Sequence, residues 1–179
     1  MKSIKSIILV AAIALSFSSC KNLVPYTDAM RQNHNWTPEQ VKSIQFYVSQ
    51  DVILHRELQK GSTDIVAGKI KTVDGRKVDE VKILAGTPGV VAEIPREDKL
   101  KVRFEASDEN ALSFGVNPNK GEKYVLLASE WDNGMGKVHY AGNEYYTDPN
   151  SRGACLLVDL RKVNKMDVKS RVAKGAKIK

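Results

Sequence analysis

Apolar and polar residues alternate along most of this chain, over short distances. The segment KLKVRFEA is the cleanest case. Leu100, Val102 and Phe104 fall on one side, and Lys99, Lys101, Arg103 and Glu105 on the other. A period of two marks a strand with one face buried. RKVDEVKIL, ALSFGV, KYVLLASEW, KVHYAGNEYYT and ACLLVDL read as strand segments too. Turn-forming clusters separate them: Asp74-Gly75, Thr87-Pro88-Gly89, the PRED link, SDEN, NPNKGE, DNGMG, Ala141-Gly142-Asn143 and DPNSRG. Asp-Gly tolerates the positive φ angles of a two-residue type I′ turn, so IVAGKIKTV and RKVDEVKIL are expected to form a hairpin.

One stretch departs from this period. Thr37 precedes Pro38, Glu39 and Gln40, which is the layout of a helix start. The hydroxyl caps, proline occupies the first turn, and Gln40 completes a capping box. Val41 and Ile44 then share a face. Asn35, Trp36 and Thr37 also spell a glycosylation sequon, but the helix start is the better reading. From Gln45 the run QFYVSQDVILHREL is rich in aromatic and β-branched residues. Two strand pieces split by Ser49, Gln50 and Asp51 are favoured. A helix continuing to Leu58 is the other reading, because positions 41, 44, 48, 52 and 55 fall near one helical stripe.

Turns recur roughly every 8–12 residues, and no strand–long helix–strand alternation is visible. The expected fold is mainly β: a single small antiparallel β-barrel or sandwich with a short N-terminal helix. The segment GTPGVVAEIPREDKLKVRFE resembles the strand-turn-strand of small SH3-like barrels.

The first residues follow other rules. MKSIKSIILVAAIALSF has a basic start at Lys2 and Lys5, an apolar run of 11 residues from Ile7 to Phe17, and then Ser18 and Ser19. That is the layout of a secretory signal. A membrane-spanning helix needs about 20 apolar residues. Phe17 to Cys20 read FSSC, which resembles the lipobox of bacterial lipoproteins, with Phe17 where Leu is commoner. The resemblance implies a diacylglyceryl group on the Cys20 thiol and cleavage that leaves Cys20 as the N-terminus. One acyl chain holds a protein only marginally, whereas two or more anchor it stably. The rival is ordinary cleavage near Ser18. Lys21 stands where an Asp would signal inner-membrane retention in Gram-negative lipoproteins, so the resemblance implies the outer membrane. With no acidic cluster after Cys20, the periplasmic face is expected.

The expected organisation is a signal peptide over 1–19, a lipidated tether over 20–36, a β-rich domain over 37–172 and a basic tail over 173–179. Loss of Lys2 and Lys5 with the signal lowers the formal charge from +7 to +5. A modest positive excess suits anionic envelope components or an acidic protein face. Export argues against nucleic acid as a partner. Cys155 sits in the apolar run GACLLV and reads as a small buried hydrophobe.

Candidate chemistry is sparse. His34, His55 and His139 are the only histidines, and none has a neighbour at metal-ligand spacing. G-x-S-x-G and phosphate-cradling motifs are missing. Glu130, Asp132 and Asn133 lack the further acids of a calcium loop. No enzyme activity and no cofactor are expected. Two partner surfaces stand out. Arg161 to Lys179 holds eight Lys or Arg against one acid, Asp167, with Arg161, Lys162, Lys165, Lys169 and Arg171 as docking candidates. Trp131, Tyr140, Tyr145 and Tyr146 are candidates for an aromatic platform. The expected role is an accessory or scaffold subunit of an envelope complex. A small-ligand-binding β-barrel lipoprotein and a cell-wall hydrolase are the competing readings.

Overall fold

The computed structural model describes residues 22–58, 69–73 and 76–163. The signal segment, Cys20, the Asp74-Gly75 turn, Lys165, Lys169, Arg171 and the basic tail lie outside the described residues. In chain order the strands are β1 (Leu23–Pro25), β2 (Phe46–Val48), β3 (Val52–Glu57), β4 (Lys69–Val73), β5 (Arg76–Ile83), β6 (Pro88–Arg96) and β7 (Lys99–Arg103). They continue with β8 (Ala111–Asn117), β9 (Lys123–Leu126), β10 (Glu130–Asp132), β11 (Met135–Tyr140), β12 (Asn143–Thr147) and β13 (Leu156–Asp159). Short helices are α1 (Asp28–Asn33), α2 (Pro38–Lys42) and α3 (Leu160–Val163).

The fold is mainly β. Among the described residues one sheet has the order β1-β13-β2-β6-β7-β8-β9, and a second has the order β10-β11-β12-β3-β5-β4. Every adjacent pair is antiparallel. Alternation sets the faces. Leu100 and Val102 are fully buried, while Lys99, Lys101 and Arg103 between them are half-buried. Both sheets feed one core cluster: Phe46, Leu100, Phe114 and Tyr124 from the first, Val52, Leu54, Val138 and Tyr145 from the second. Each such side chain contributes about 1.5–3 kcal/mol on full burial.

The helix at Thr37 forms as its sequence requires. Thr37 Oγ1 accepts from Gln40 N–H, and Gln40 Oε1 accepts from Thr37 N–H at 2.8 Å. The chain then enters β2 and β3, so the strand reading of Gln45–Leu58 holds over the helical one. Phe46, Tyr47 and Val48 are all buried. β4 and β5 pair from Val73↔Arg76 outward, the register of a two-residue hairpin. At Ala141 and Gly142 both φ angles are positive, 49° and 72°, as a type I′ turn needs.

Two expectations are corrected. The segment 20–36 is folded from Leu23 onward and is not a tether there. β1 pairs with β13, Thr27 caps α1, and Tyr26 is fully buried against the rings of Trp36, Phe46 and Tyr124. A three-residue strand and isolated aromatic anchors carry no period that pattern reading can detect. The turn expected at Thr87-Pro88-Gly89 lies earlier, at Ala85 and Gly86, where Gly86 has φ +77°. Pro88 and Gly89 begin β6 opposite Tyr47 and Phe46. Gly89 serves packing instead: a Cβ there would meet Phe104 at 2.7 Å and Val102 at 2.8 Å.

Candidate functional site

The two ends of the described domain meet at one sheet corner. β1 and β13 run antiparallel with Leu23 opposite Asp159. The Leu160 N–H donates to the Asn22 carbonyl at 3.1 Å. Asp159 is buried, and its Oδ1 accepts from the Arg161 backbone N–H at 3.1 Å, fixing the start of α3. Val163 is buried beneath, which leaves Arg161 and Lys162 exposed. The basic run therefore begins beside Asn22, two residues after Cys20.

The aromatic set does not form one surface. In β11 and β12, Val138 pairs with Tyr145 and Lys137 with Tyr146. Tyr140 and Tyr145 point inward, fully buried, with their rings edge-to-face at 6.0 Å. They are core residues, so the expectation of a four-membered platform is corrected by strand alternation. Burial, followed by a 2.7 Å hydrogen bond to Asp79, pushes the Tyr145 phenol up to about 12. Burial and a bond to Glu105 raise the Tyr140 phenol further. Tyr146 stands on the opposite face, 51% exposed. It shares that face with Lys137, whose pKa is raised by its hydrogen bond to Glu144 at 2.8 Å.

Trp131 belongs to a different place, a groove of about 800 Å³. Its floor is Val125, Leu126, Leu127 and Cys155, and its rim carries Lys120, Lys123 and Arg152. Among the described residues no Asp or Glu lines it. Among the described residues, none of the three rim cations is ion-paired. Cys155 is the buried small residue its apolar context called for. Trp131 pairs across from Gly136 and covers it so closely that a Cβ would meet the ring at 2.8 Å. The Arg152 guanidinium lies over the indole, 5.6 Å from its centroid.

Two matching turns build the rim. Asn117-Pro118-Asn119-Lys120 and Asp148-Pro149-Asn150-Ser151-Arg152 each open with an Asx residue before proline. Asn117 Oδ1 accepts from Asn119 N–H at 3.0 Å, and Asp148 Oδ1 from Asn150 N–H at 2.8 Å. Both segments coil into a 3-10 turn with its cation near the end. The second turn is fastened to β3: Ser151 Oγ accepts from Ile53 N–H, and Asp148 N–H donates to the Ile53 carbonyl. The sequence reading passed over Lys120, Lys123 and Arg152 because they are scattered along the chain. The repeated Asx-Pro-Asn turn was the available signal.

A second groove, about 680 Å³, has mixed charge: Lys99, Lys101 and Lys137 face Asp108, Glu109 and Glu144, with His139 beside them. His55 lies 3.7 Å from Glu80, and His34 stacks on Trp36 at 4.5 Å. Among the described residues no three His, Cys, Asp or Glu side chains are grouped to hold a metal ion. No protein-family model, no curated protein and no solved structure matches this chain.

Proposed function

We propose that this chain is an envelope lipoprotein, held at the periplasmic face of the outer membrane through lipid on Cys20, and that it serves as a non-enzymatic accessory or scaffold subunit. The observation that carries this reading is the 3.1 Å bond between Leu160 and Asn22. It puts the anchor side of the domain and the start of the basic run at one corner. Two residues span at most ~7 Å. A lipid on Cys20 thus brings this corner against the head groups, with Arg161 and Lys162 beside it. Each basic side chain close to an anionic surface contributes about 1 kcal/mol. The two acyl chains of the diacylglyceryl group anchor stably by themselves, and the basic residues add electrostatic contact to that anchor.

The same reading takes the domain as a small sandwich, supported by the one core cluster to which both sheets contribute. The groove at Trp131 lies toward the other end of β1, near Thr27, which bridges to Lys123. From Asn22 to Thr27 is about 16 Å at ~3.3 Å per residue, so the groove stays open to partners. The test is purification of the full chain from its membranes in mild detergent, with quantitative mass spectrometry of what accompanies it. A protein at near-equal stoichiometry is expected. Its absence above background contradicts the accessory role.

A further inference from the structure

We infer that the groove between the two Asx-Pro-Asn turns is a docking site for a short, extended, acidic peptide segment of a partner protein. The inference deepens the accessory reading by giving the partner a chemistry.

Charge is the first argument. Three cations surround a concave surface whose lining holds no carboxylate among the described residues. Concave sites walled by protein focus the field of their charges and raise the local concentration of counter-ions. Lys120 and Lys123 have no carboxylate to satisfy them among the described residues. An anionic ligand gains that attraction without first breaking an ion pair.

Shape is the second. Tyr124 is fully buried in the core, while Lys123 and Val125, with Leu126 and Leu127 after them, run along the groove. Lys123 to Leu127 covers ~13 Å at ~3.3 Å per residue. The lysines mark one end of this path and the Arg152–Trp131 stack the other, with an apolar floor between them. A single small anion satisfies only one end. An extended peptide of about four residues covers the same ~13 Å. Acidic side chains at its ends and an apolar one between match the order of the lining. The volume lies within the ~300–1,000 Å³ typical of ligand clefts.

Rigidity is the third. Each rim turn is capped by its own Asx side chain, and the second is bonded to β3 at both its capping residue and Ser151. Gln50 Nε2 also donates to the Asn150 carbonyl. Trp131 packs closely on Gly136, and the Arg152 guanidinium lies over its ring. Little of the site must be ordered on binding, which lowers the cost of association.

The test uses the mature full chain in mild detergent and an end-blocked, dye-labelled peptide of about six alternating glutamate and leucine residues, ~20 Å when extended. Fluorescence anisotropy is expected to show saturable binding. The glutamine version of the peptide is expected to bind at least tenfold more weakly. Lys123→Glu and Arg152→Glu are each expected to weaken binding of the acidic peptide at least tenfold, and raised salt to weaken it as well. Circular dichroism and thermal melting check that both variants fold. Lys162→Glu, at the anchor corner, is expected to leave peptide binding unchanged. Absence of binding, equal binding of the glutamine peptide, or equal binding by the folded groove variants overturns the inference. Full competition by inorganic phosphate at the same concentration also overturns it and assigns a simple anion site. Membrane retention of the groove variants separates the two claims: retention with lost peptide binding leaves the anchor reading intact.

Discussion

Asp79→Ala is expected to destabilise the domain by about 3 kcal/mol. Asp79 is buried in β5, on the face turned to the core. Its Oδ2 accepts from the Tyr145 hydroxyl of β12 at 2.7 Å and from Arg56 of β3 at 3.3 Å. Arg56 in turn bonds Asn143 and lies 5.4 Å from the Tyr145 ring. One carboxylate thus ties three neighbouring strands of the second sheet. A hydrogen bond to a charged acceptor contributes about 1.5–3 kcal/mol, and the phenol bond is short and buried. The Arg56 side chain is 17% exposed, so water recovers part of its loss, leaving ~1 kcal/mol for that contact. Among the described residues Asp79 Oδ1 has no hydrogen-bond partner, a desolvation cost that the substitution removes. The sum falls at the lower end of the ~3–5 kcal/mol seen when one member of a buried pair is deleted. Urea unfolding measures it. With m of about 1–3 kcal/mol/M, the midpoint falls by ~1–3 M at unchanged m. Tyr145→Phe alone is expected to cost about 1–2 kcal/mol, and the double variant less than the sum, because both remove the same bond. A loss below ~1 kcal/mol for Asp79→Ala, with m unchanged, refutes the view that this carboxylate holds the strands together.

Gly136→Ala drives a methyl group to 2.8 Å from both Ala128 and the Trp131 ring; about 1–3 kcal/mol of stability is lost, and a shift in tryptophan emission reports the displaced indole. Tyr26→Ala is expected to cost about 3–5 kcal/mol in the same urea assay, and a loss near zero contradicts the folding of residues 23–36 into the core. Tyr26, Tyr124, Tyr140 and Tyr145 all have phenol pKa values raised by burial. Their neutral form is favoured in the folded state, so their contribution is complete below the ordinary phenol pKa near 10. It is lost as pH rises above that, because the unfolded chain then binds fewer protons. Each tyrosine adds a slope of about −1.4 kcal/mol per pH unit there. Equilibrium unfolding followed against pH is expected to be flat with respect to these groups below pH ~10 and to fall steeply above it.

How much could be read from the sequence varies with the range of the interaction. KLKVRFEA gave its strand and its buried face without ambiguity, because alternation is local and one face meets the core. The capping box at Thr37 is equally local and formed as expected. Asp79 shows the limit. In RKVDEVKI alternation puts Asp79 on the face of Val81 and Ile83, but its partners Tyr145 and Arg56 come from other strands and carry no local signal. Trp131 was picked for its chemistry, but its partners were not Tyr140, Tyr145 and Tyr146 further along the same strand run. They are Gly136 across the hairpin and Arg152 from a turn held on another strand. The groove therefore depends on packing between distant segments, which periodicity does not encode. The folded segment 23–36 was missed for a related reason: β1 has meaning only beside β13, at the far end of the chain.

The central claim is attachment through Cys20, and intact mass spectrometry of the mature protein from fractionated membranes tests it most directly. The account predicts a chain in the outer-membrane fraction that begins at Cys20 and carries added acyl mass, with Cys20→Ser lacking that mass. A mature chain with an unmodified Cys20 thiol, recovered in the soluble fraction, contradicts it.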